Sequence, residues 1–370
     1  MTSTAHARLT PRDNGPRDTA GTLAGGKAHS DVTAYPTTMQ AVVANGYGAT
    51  TVLDNVERPT PTPGDDEVLV KVHATNVSAA DSMMRRGDPA YARLFLGVRK
   101  PKKEIPGTCL SGVVCAVGSA VKQFKVGDAV YGGTGVGFGA HAEYVCVPED
   151  GAIVAKPETM THQDAALMFD GPSTSWNFLK RIAQVQPGQK VLVNGASGSL
   201  GTAGVQLAKA FGAHVTGVCS AGNADLVRSL GADVVIDYAQ ADFTRNADSY
   251  DVIYDTIGKS SFGRCKRALK RNGQYLTPVL KLPSLFRVLW TKIVGRKRVR
   301  FDASGLRPAA EHRAAFLELA ALMEAGKLHF VIERTYRLEE IAEAHERVDS
   351  GHKVGNLAIR VANYSGAHRS

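Results

Sequence analysis

Cysteine is scarce in this sequence, and what there is lies scattered. Cys109, Cys115, Cys146, Cys219 and Cys265 contain no CxxC pair and are odd in number. That excludes a zinc ribbon and a closed disulfide framework, and a reducing cytoplasm is the setting it predicts. Long apolar runs are missing too. Nothing approaches the ~20 residues of a membrane helix. The nearest stretch, Leu282 to Val294, is interrupted by Pro283, Arg287 and Lys292, so no membrane span is expected. No signal-peptide apolar core stands near Met1, and Asp13, Asp18 and Asp31 are out of place in a mitochondrial transit peptide. Negative charge is in deficit, with 35 Asp and Glu against 44 Lys and Arg, a formal net charge of +9. This suits an anionic cofactor. The cations are mostly scattered, apart from Arg296, Lys297, Arg298 and Arg300, so nucleic acid is not the expected partner.

What is present is organised around Val191 to Ser220, VLVNGASGSLGTAGVQLAKAFGAHVTGVCS. The apolar run Val191-Leu192-Val193 fits a strand buried on both faces. Gly195, Gly198 and Gly201 then form a glycine-rich turn. Leu200, Ala203, Gly204, Leu207, Ala208 and Phe211 recur at helical spacing, and a second apolar run ends at Val218-Cys219-Ser220. This is a βαβ unit. Such a turn lets a pyrophosphate approach the main chain, while the helix beginning near Leu200 directs N–H groups and the positive end of its dipole at the phosphates. Here the glycines have the strand before and the helix after that the motif requires.

The end of the second strand carries a further absence. An NAD-binding unit usually places a carboxylate there for the ribose 2′-hydroxyl. This chain has Cys219-Ser220-Ala221-Gly222-Asn223. With no carboxylate to repel a 2′-phosphate, and with Ser220 and Asn223 as donors, NADPH is favoured over NADH. The competing role for Ser220 is an ordinary helix N-cap.

At 370 residues the chain has room for two cores. Residues 1–37 lack apolar periodicity and read as a disordered tail, as do 365–370. From Met39, short β-like runs (Met39–Ala44, Glu67–Ala74, Gly112–Gly118, Ala142–Pro148) alternate with turn clusters and suggest a partly open barrel. Thr161 to Ala183 reads as helix. After Ser220, helices Asn223–Leu230 and Phe262–Lys270 alternate with strands Val234–Tyr238, Asp251–Thr256, Gln274–Val279 and Val299–Ala303, which implies a doubly wound parallel sheet. Lys281 to Arg298 suits an amphipathic helix with a basic face. The helix Ala309–Lys327, a strand, the helix Leu338–Ser350 and the strand Leu357–Val361 return to the first domain. The predicted division is 38–157 with 304–364 as one discontinuous domain and 158–303 as the other.

From Met39 to Val361 the sequence resembles the medium-chain dehydrogenase/reductase superfamily. The carrying segments are GVVCAVGSAVKQFKVGDAVYG (112–132), AHAEYVCVP (140–148), the 194–220 unit, LGADVVIDY (230–238), EAGKL and HKVGNLAI. The resemblance implies an α/β protein: a GroES-like β-barrel catalytic domain plus a Rossmann doubly wound parallel sheet, with the active site between them. Where zinc alcohol dehydrogenases of the superfamily carry a cysteine and a histidine, this chain has Ser78 and Thr108, and hydroxyls are poor zinc ligands. The four-cysteine zinc loop is missing as well. The sequence is thus similar to the zinc-independent branch of quinone oxidoreductases, zeta-crystallin and reticulon-interacting reductases, and no metal is expected. That branch has asparagine in an NPxD segment where Ser78 stands; here only Asp81 of that segment remains.

By the same resemblance, NADPH would be held by Ser197, Gly198, Ser199, Leu200 and Gly201 on the turn, by Ser220 and Tyr238 at the 2′-phosphate, and by Thr174 beneath the nicotinamide side, with Gly195 and Asn223 joining them on the reading of the turn and strand end above. The bland alternatives are a strand-end aromatic for Tyr238 and a self-bonded helix hydroxyl for Thr174. A homodimer is implied. Without a Lewis acid, a conjugated acceptor is the easier substrate, because the charge formed on hydride addition spreads to an oxygen that the cleft can stabilise. The expected activity is therefore NADPH-dependent reduction of a small quinone or enone, with Ser78, Tyr47 and Tyr144 as candidate polar catalytic groups. The alternatives are an alcohol/aldehyde dehydrogenase and a non-enzymatic NADPH-binding protein.

Overall fold

The computed structural model describes residues 35–279, 291 and 296–361. The amphipathic stretch 281–298 falls largely outside them, as do 1–34 and 365–370. Residues 35–37 belong to the folded protein rather than to a tail. The Tyr35 ring lies 6.4 Å from that of Tyr144, and the Thr37 carbonyl accepts from Thr60 N at 2.9 Å.

Strands β1 (Thr38–Ala44) and β2 (Leu53–Pro59) form an antiparallel pair. β3 (Glu67–Asn76), β4 (Cys109–Val117), β5 (Ala129–Gly133), β6 (Tyr144–Pro148) and β7 (Ala152–Ala155) follow. Next come β8 (Lys190–Asn194), β9 (His214–Cys219), β10 (Val234–Asp237), β11 (Tyr250–Asp255), β12 (Leu269–Thr277) and β13 (Arg298–Phe301). The last two are β14 (Ile332–Arg337) and β15 (Asn356–Arg360).

Two larger sheets result. One has the order β14-β15-β3-β4-β5-β7, with β6 also paired to β3. It therefore takes strands from both ends of the described chain. The other has the order β10-β9-β8-β11-β12-β13 and is parallel throughout. That is the dinucleotide-binding strand order, whose direction reverses between the first and fourth strands and leaves a crevice at their carboxyl ends.

The parallel sheet forms because its central strand has no polar face. Val191, Leu192 and Val193 are all fully buried, and they feed two different cores. Val191 and Val193 pack with Val205, Leu207 and Tyr254. Leu192 packs with Ile253, Tyr275 and Val299. Each such side chain stabilises the fold by about 1.5–3 kcal/mol.

Two predicted helices are cut short. Thr161–Ala183 is three pieces: His162–Ala166, Gly171–Trp176, and a wider-wound turn Asn177–Ile182. Pro172 explains the break. It has no N–H to give the preceding turn, and its ring is tolerated at a helix start. Asp170, just before the restart, has ψ −85°, outside the helical region. In the second case only Phe262–Cys265 is helical. Leu269 is captured earlier than expected by pairing with Tyr250. Among the described residues no helix is long and apolar enough to cross a membrane.

Leu192→Ala should lower the unfolding free energy by about 2–5 kcal/mol in urea denaturation. A loss well below 1 kcal/mol would contradict the packing of the central strand.

Candidate active site in the cleft between the two sheets

A cleft of about 440 Å³ is walled by Ser78–Ala80, Met83, Met84 and Thr108 on one side. Phe169, Asp170, Thr174, Gly198–Leu200, Thr256 and Ile257 form the other side, with Lys353 closing it.

The glycine turn sits where the crevice opens. Gly201 is glycine of necessity, since a Cβ there would stand 2.0 Å from Gly195 O. Above Gly198, among the described residues, nothing lies nearer to an added Cβ than Gly195 O at 3.6 Å. No side chain caps the N-terminus of the helix Ser199–Ala210. A backbone that an incoming group can approach, at an uncapped helix start, fits a dinucleotide pyrophosphate. Gly198, Ser199, Leu200 and Thr174 line the cleft itself.

Ser197, Ser220 and Asn223 meet beside it. Asn223 Nδ2 donates to Ser197 Oγ and to Ser220 Oγ, at 3.2 Å each. Tyr238 joins them at the strand ends, its N–H bonded to Cys219 O at 3.2 Å and its side chain well exposed. Arg228, the nearest cation in sequence, is given to Asp225 at 2.7 Å in an exposed pair, an interaction weak enough to exchange.

Ser78 is on the cleft wall, but its hydroxyl is already committed. It donates to Asp81 Oδ2 at 2.7 Å and accepts from Asp81 N at 3.2 Å, a reciprocal cap on the helix Ala79–Arg86. Tyr47 and Tyr144 do not reach the cleft. The Tyr47 hydroxyl donates to Gly97 O at 2.6 Å, and its ring carries the Arg93 guanidinium at 4.7 Å. Tyr144 is buried among Met39, Ala41, Leu69 and Ala142, so its ring is part of the barrel core.

Asp170 and Lys353 are ionisable cleft residues that sequence reasoning missed. The Ser199 hydroxyl lies 3.1 Å from Asp170 Oδ2 and 2.7 Å from Asn356 Oδ1. Burial pushes the Asp170 carboxyl up to about 6; the charge of Asp81 adds to this, while Lys353 and the Ser199 hydroxyl oppose it. Burial also pulls the Lys353 ammonium down, with Asp170 and Glu333 resisting. Lys353 Nζ donates to Gly355 O. A third ionisable group, Asp302, is held by Arg307 at 3.0 Å and by Asn177 at 2.7 Å. Cys109 adjoins Thr108 but is fully buried, and burial raises its thiol well above the usual value. It is therefore not a thiolate nucleophile. Among the described residues, no group of three His, Cys, Asp or Glu side chains could hold a metal ion.

A cleft between a mainly antiparallel barrel-type sheet and a dinucleotide-type parallel sheet, with an uncapped helix start on its floor, defines a nicotinamide-dependent oxidoreductase architecture. Comparison with known proteins agrees. Residues 64–158 match the alcohol dehydrogenase GroES-like domain and residues 230–359 match the zinc-binding dehydrogenase family. The chain is 33% identical to the mitochondrial NAD(P)H oxidoreductase RTN4IP1 of Mus musculus, over 90% of this chain and 91% of that protein. It is 29% identical to the 2-methylene-furan-3-one reductase of Solanum lycopersicum, over 88% of this chain and 79% of that one. The structure of the quinone oxidoreductase from Coxiella burnetii superposes with a TM-score of 0.78 at 27% identity, covering 88% of this chain and all of that one. The chain belongs to the medium-chain dehydrogenase/reductase superfamily, in its quinone oxidoreductase branch.

Asp170 gives a signed test. Its folded pKa lies above the ordinary carboxylate value of 3.8, so the folded state holds a proton that the unfolded chain releases. The resulting cost is absent below about pH 4 and complete above about pH 6. Asp170→Asn should therefore raise the melting temperature at pH 7.5, and the gain should vanish near pH 4. An equal gain at both pH values would remove the buried-carboxyl assignment.

Proposed function

We propose that the protein reduces quinones or α,β-unsaturated carbonyl compounds with NADPH and without zinc. The single observation that carries this is the composition of the cleft. Apolar side chains of Met83, Met84, Val136, Phe138 and Leu306 line the cleft together with a nucleotide-type helix start, and hydroxyls stand at Ser78 and Thr108 where zinc enzymes of the superfamily have ligands.

When bound, the dihydronicotinamide supplies the hydride. The chain supplies position and a proton. The apolar lining takes a flat conjugated acceptor and excludes water from it. A conjugated acceptor gathers the developing charge on an oxygen, which donors in the cleft can meet. Asp170 holds a proton on its carboxyl up to about pH 6. With the Lys353 ammonium it is the pair on the wall suited to deliver a proton there. Asp302 is occupied by Arg307. The preference for NADPH rests on the hydroxyl and amide cluster of Ser197, Ser220 and Asn223, with Tyr238 beside it. It also rests on the absence of a carboxylate in the five residues from Cys219 to Asn223. The proposed compartment is the cytoplasm, on the grounds of five unpaired cysteines, and the proposed assembly is a homodimer.

Metal-stripped protein should oxidise NADPH with 9,10-phenanthrenequinone or an alkenal, and faster than it oxidises NADH. Turnover that appears only after zinc is restored would move the protein to the alcohol dehydrogenase alternative. Ser220→Asp should place a carboxylate against the 2′-phosphate and shift the NADPH/NADH preference by about tenfold or more toward NADH. An unmoved ratio would put the phosphate elsewhere.

A further inference from the structure

Twelve large apolar side chains are exposed among the described residues, and four of them fall in one short stretch: Tyr91, Leu94, Phe95 and Val98. Leu94, Phe95 and Val98 are 69%, 79% and 69% exposed. Scattered exposed apolar residues need no explanation, but a cluster on one loop does.

This loop is built to hold them outward. Tyr47 Oη donates to Gly97 O at 2.6 Å, and the Arg93 guanidinium lies over the Tyr47 ring at 4.7 Å. Arg93 also donates to Gly87 O at 3.0 Å and to Arg86 O at 3.1 Å. Lys102 N closes the loop on Leu96 O at 2.7 Å. Tyr47, Arg93 and backbone bonds at Leu96 and Gly97 hold the base of the loop, while Leu94, Phe95 and Val98 project into solvent.

Charge follows directly. Arg99, Lys100, Lys102 and Lys103 are all exposed, and among the described residues only Lys100 has an acidic partner, Glu104 at 3.0 Å. We propose that the loop 91–103 docks on an anionic lipid bilayer, inserting Leu94, Phe95 and Val98 while Arg99, Lys102 and Lys103 meet the headgroup phosphates. A bilayer takes projecting apolar side chains without a complementary pocket, and its anionic surface attracts the adjoining cations. A nucleic acid would satisfy the cations and leave the apolar tip in water. A second copy in a symmetric contact would set this cationic cluster against itself. The loop directly follows the helix Ala79–Arg86, whose Ala79, Ala80, Met83 and Met84 wall the cleft. Docking would thus hold the cleft near a phase into which apolar acceptors partition.

The test is co-sedimentation of the full chain with phosphatidylcholine vesicles, with and without phosphatidylglycerol. The protein should pellet with the anionic vesicles, and less as salt is raised. Leu94→Asp/Phe95→Asp should cut the bound fraction about tenfold, as should Arg99→Glu/Lys102→Glu. Arg267→Glu/Arg271→Glu, an equal charge change on other exposed residues, should bind like wild type. All three variants should keep the wild-type melting temperature and turnover with water-soluble benzoquinone, so a failure of catalysis remains separate from a failure of docking. No pelleting with anionic vesicles overturns the proposal. So does undiminished pelleting of Leu94→Asp/Phe95→Asp, or equal loss in the Arg267/Arg271 variant. A wild-type dimer that Leu94→Asp/Phe95→Asp dissolves would assign the face to a second copy and overturn it as well.

Discussion

The site depends on one close approach, the pairing of Gly198 with Gly355. Gly355 N donates to Ser197 O at 2.7 Å, and the two glycines form a parallel bridge between otherwise separate sheets. Gly355 has φ +57°, and a Cβ on it would stand 2.2 Å from Val331 O, so only glycine lets the chain pass there without strain. From this point β15 enters the antiparallel sheet, and its first residue, Asn356, reaches the Ser199 hydroxyl at 2.7 Å. The nucleotide-type turn and the end of the barrel-type sheet are thereby locked together. The cleft has a defined width because its two walls share these contacts.

Within that frame the chemistry follows from burial. A carboxylate taken out of water without a strong partner holds its proton, and an ammonium gives its proton up more readily. Asp170 and Lys353 both line the cleft under these conditions, close enough for their charges to act on each other. Each moderates the other, and neither is neutralised in the way that Arg307 neutralises Asp302. Polar groups on the opposite wall are quiet by comparison. Ser78 is tied into its helix cap, and Cys109 lies behind Thr108 as a buried neutral thiol outside the cleft lining. The cleft's shifted ionisable groups therefore sit on the side of the helix start, where the Ser199 hydroxyl meets Asp170.

Tyr47 shows how a residue can have a role other than the one its type suggests. Its phenol has the chemistry of a proton donor, yet it serves as the base of a projecting loop, bonded to Gly97 and stacked on Arg93. Tyr144 is similar in kind: its ring is worth more in the barrel core than in the cleft. In both cases the side chain could serve either role, and only the packing selects between them.

The sequence by itself determined the parallel sheet, the glycine turn and the neighbouring donors Ser220 and Asn223; the fold added Ser197 to them through Asn223. The turn and its donors arise within about thirty residues of one another, and each strand of the sheet from its own apolar run, by periodicity and turn chemistry that act locally. The missing zinc positions were likewise visible as residue types at matched motifs. Tertiary structure alone decided the rest. One exception is local: Pro172 broke a helix that apolar periodicity would have continued, leaving Asp170 outside helical geometry, but its place on the cleft wall came from packing. Strand pairing brought Lys353 to it from the far end of the chain. A buried charge is recognised by its surroundings, and those surroundings come from segments too distant in sequence for any local pattern to record.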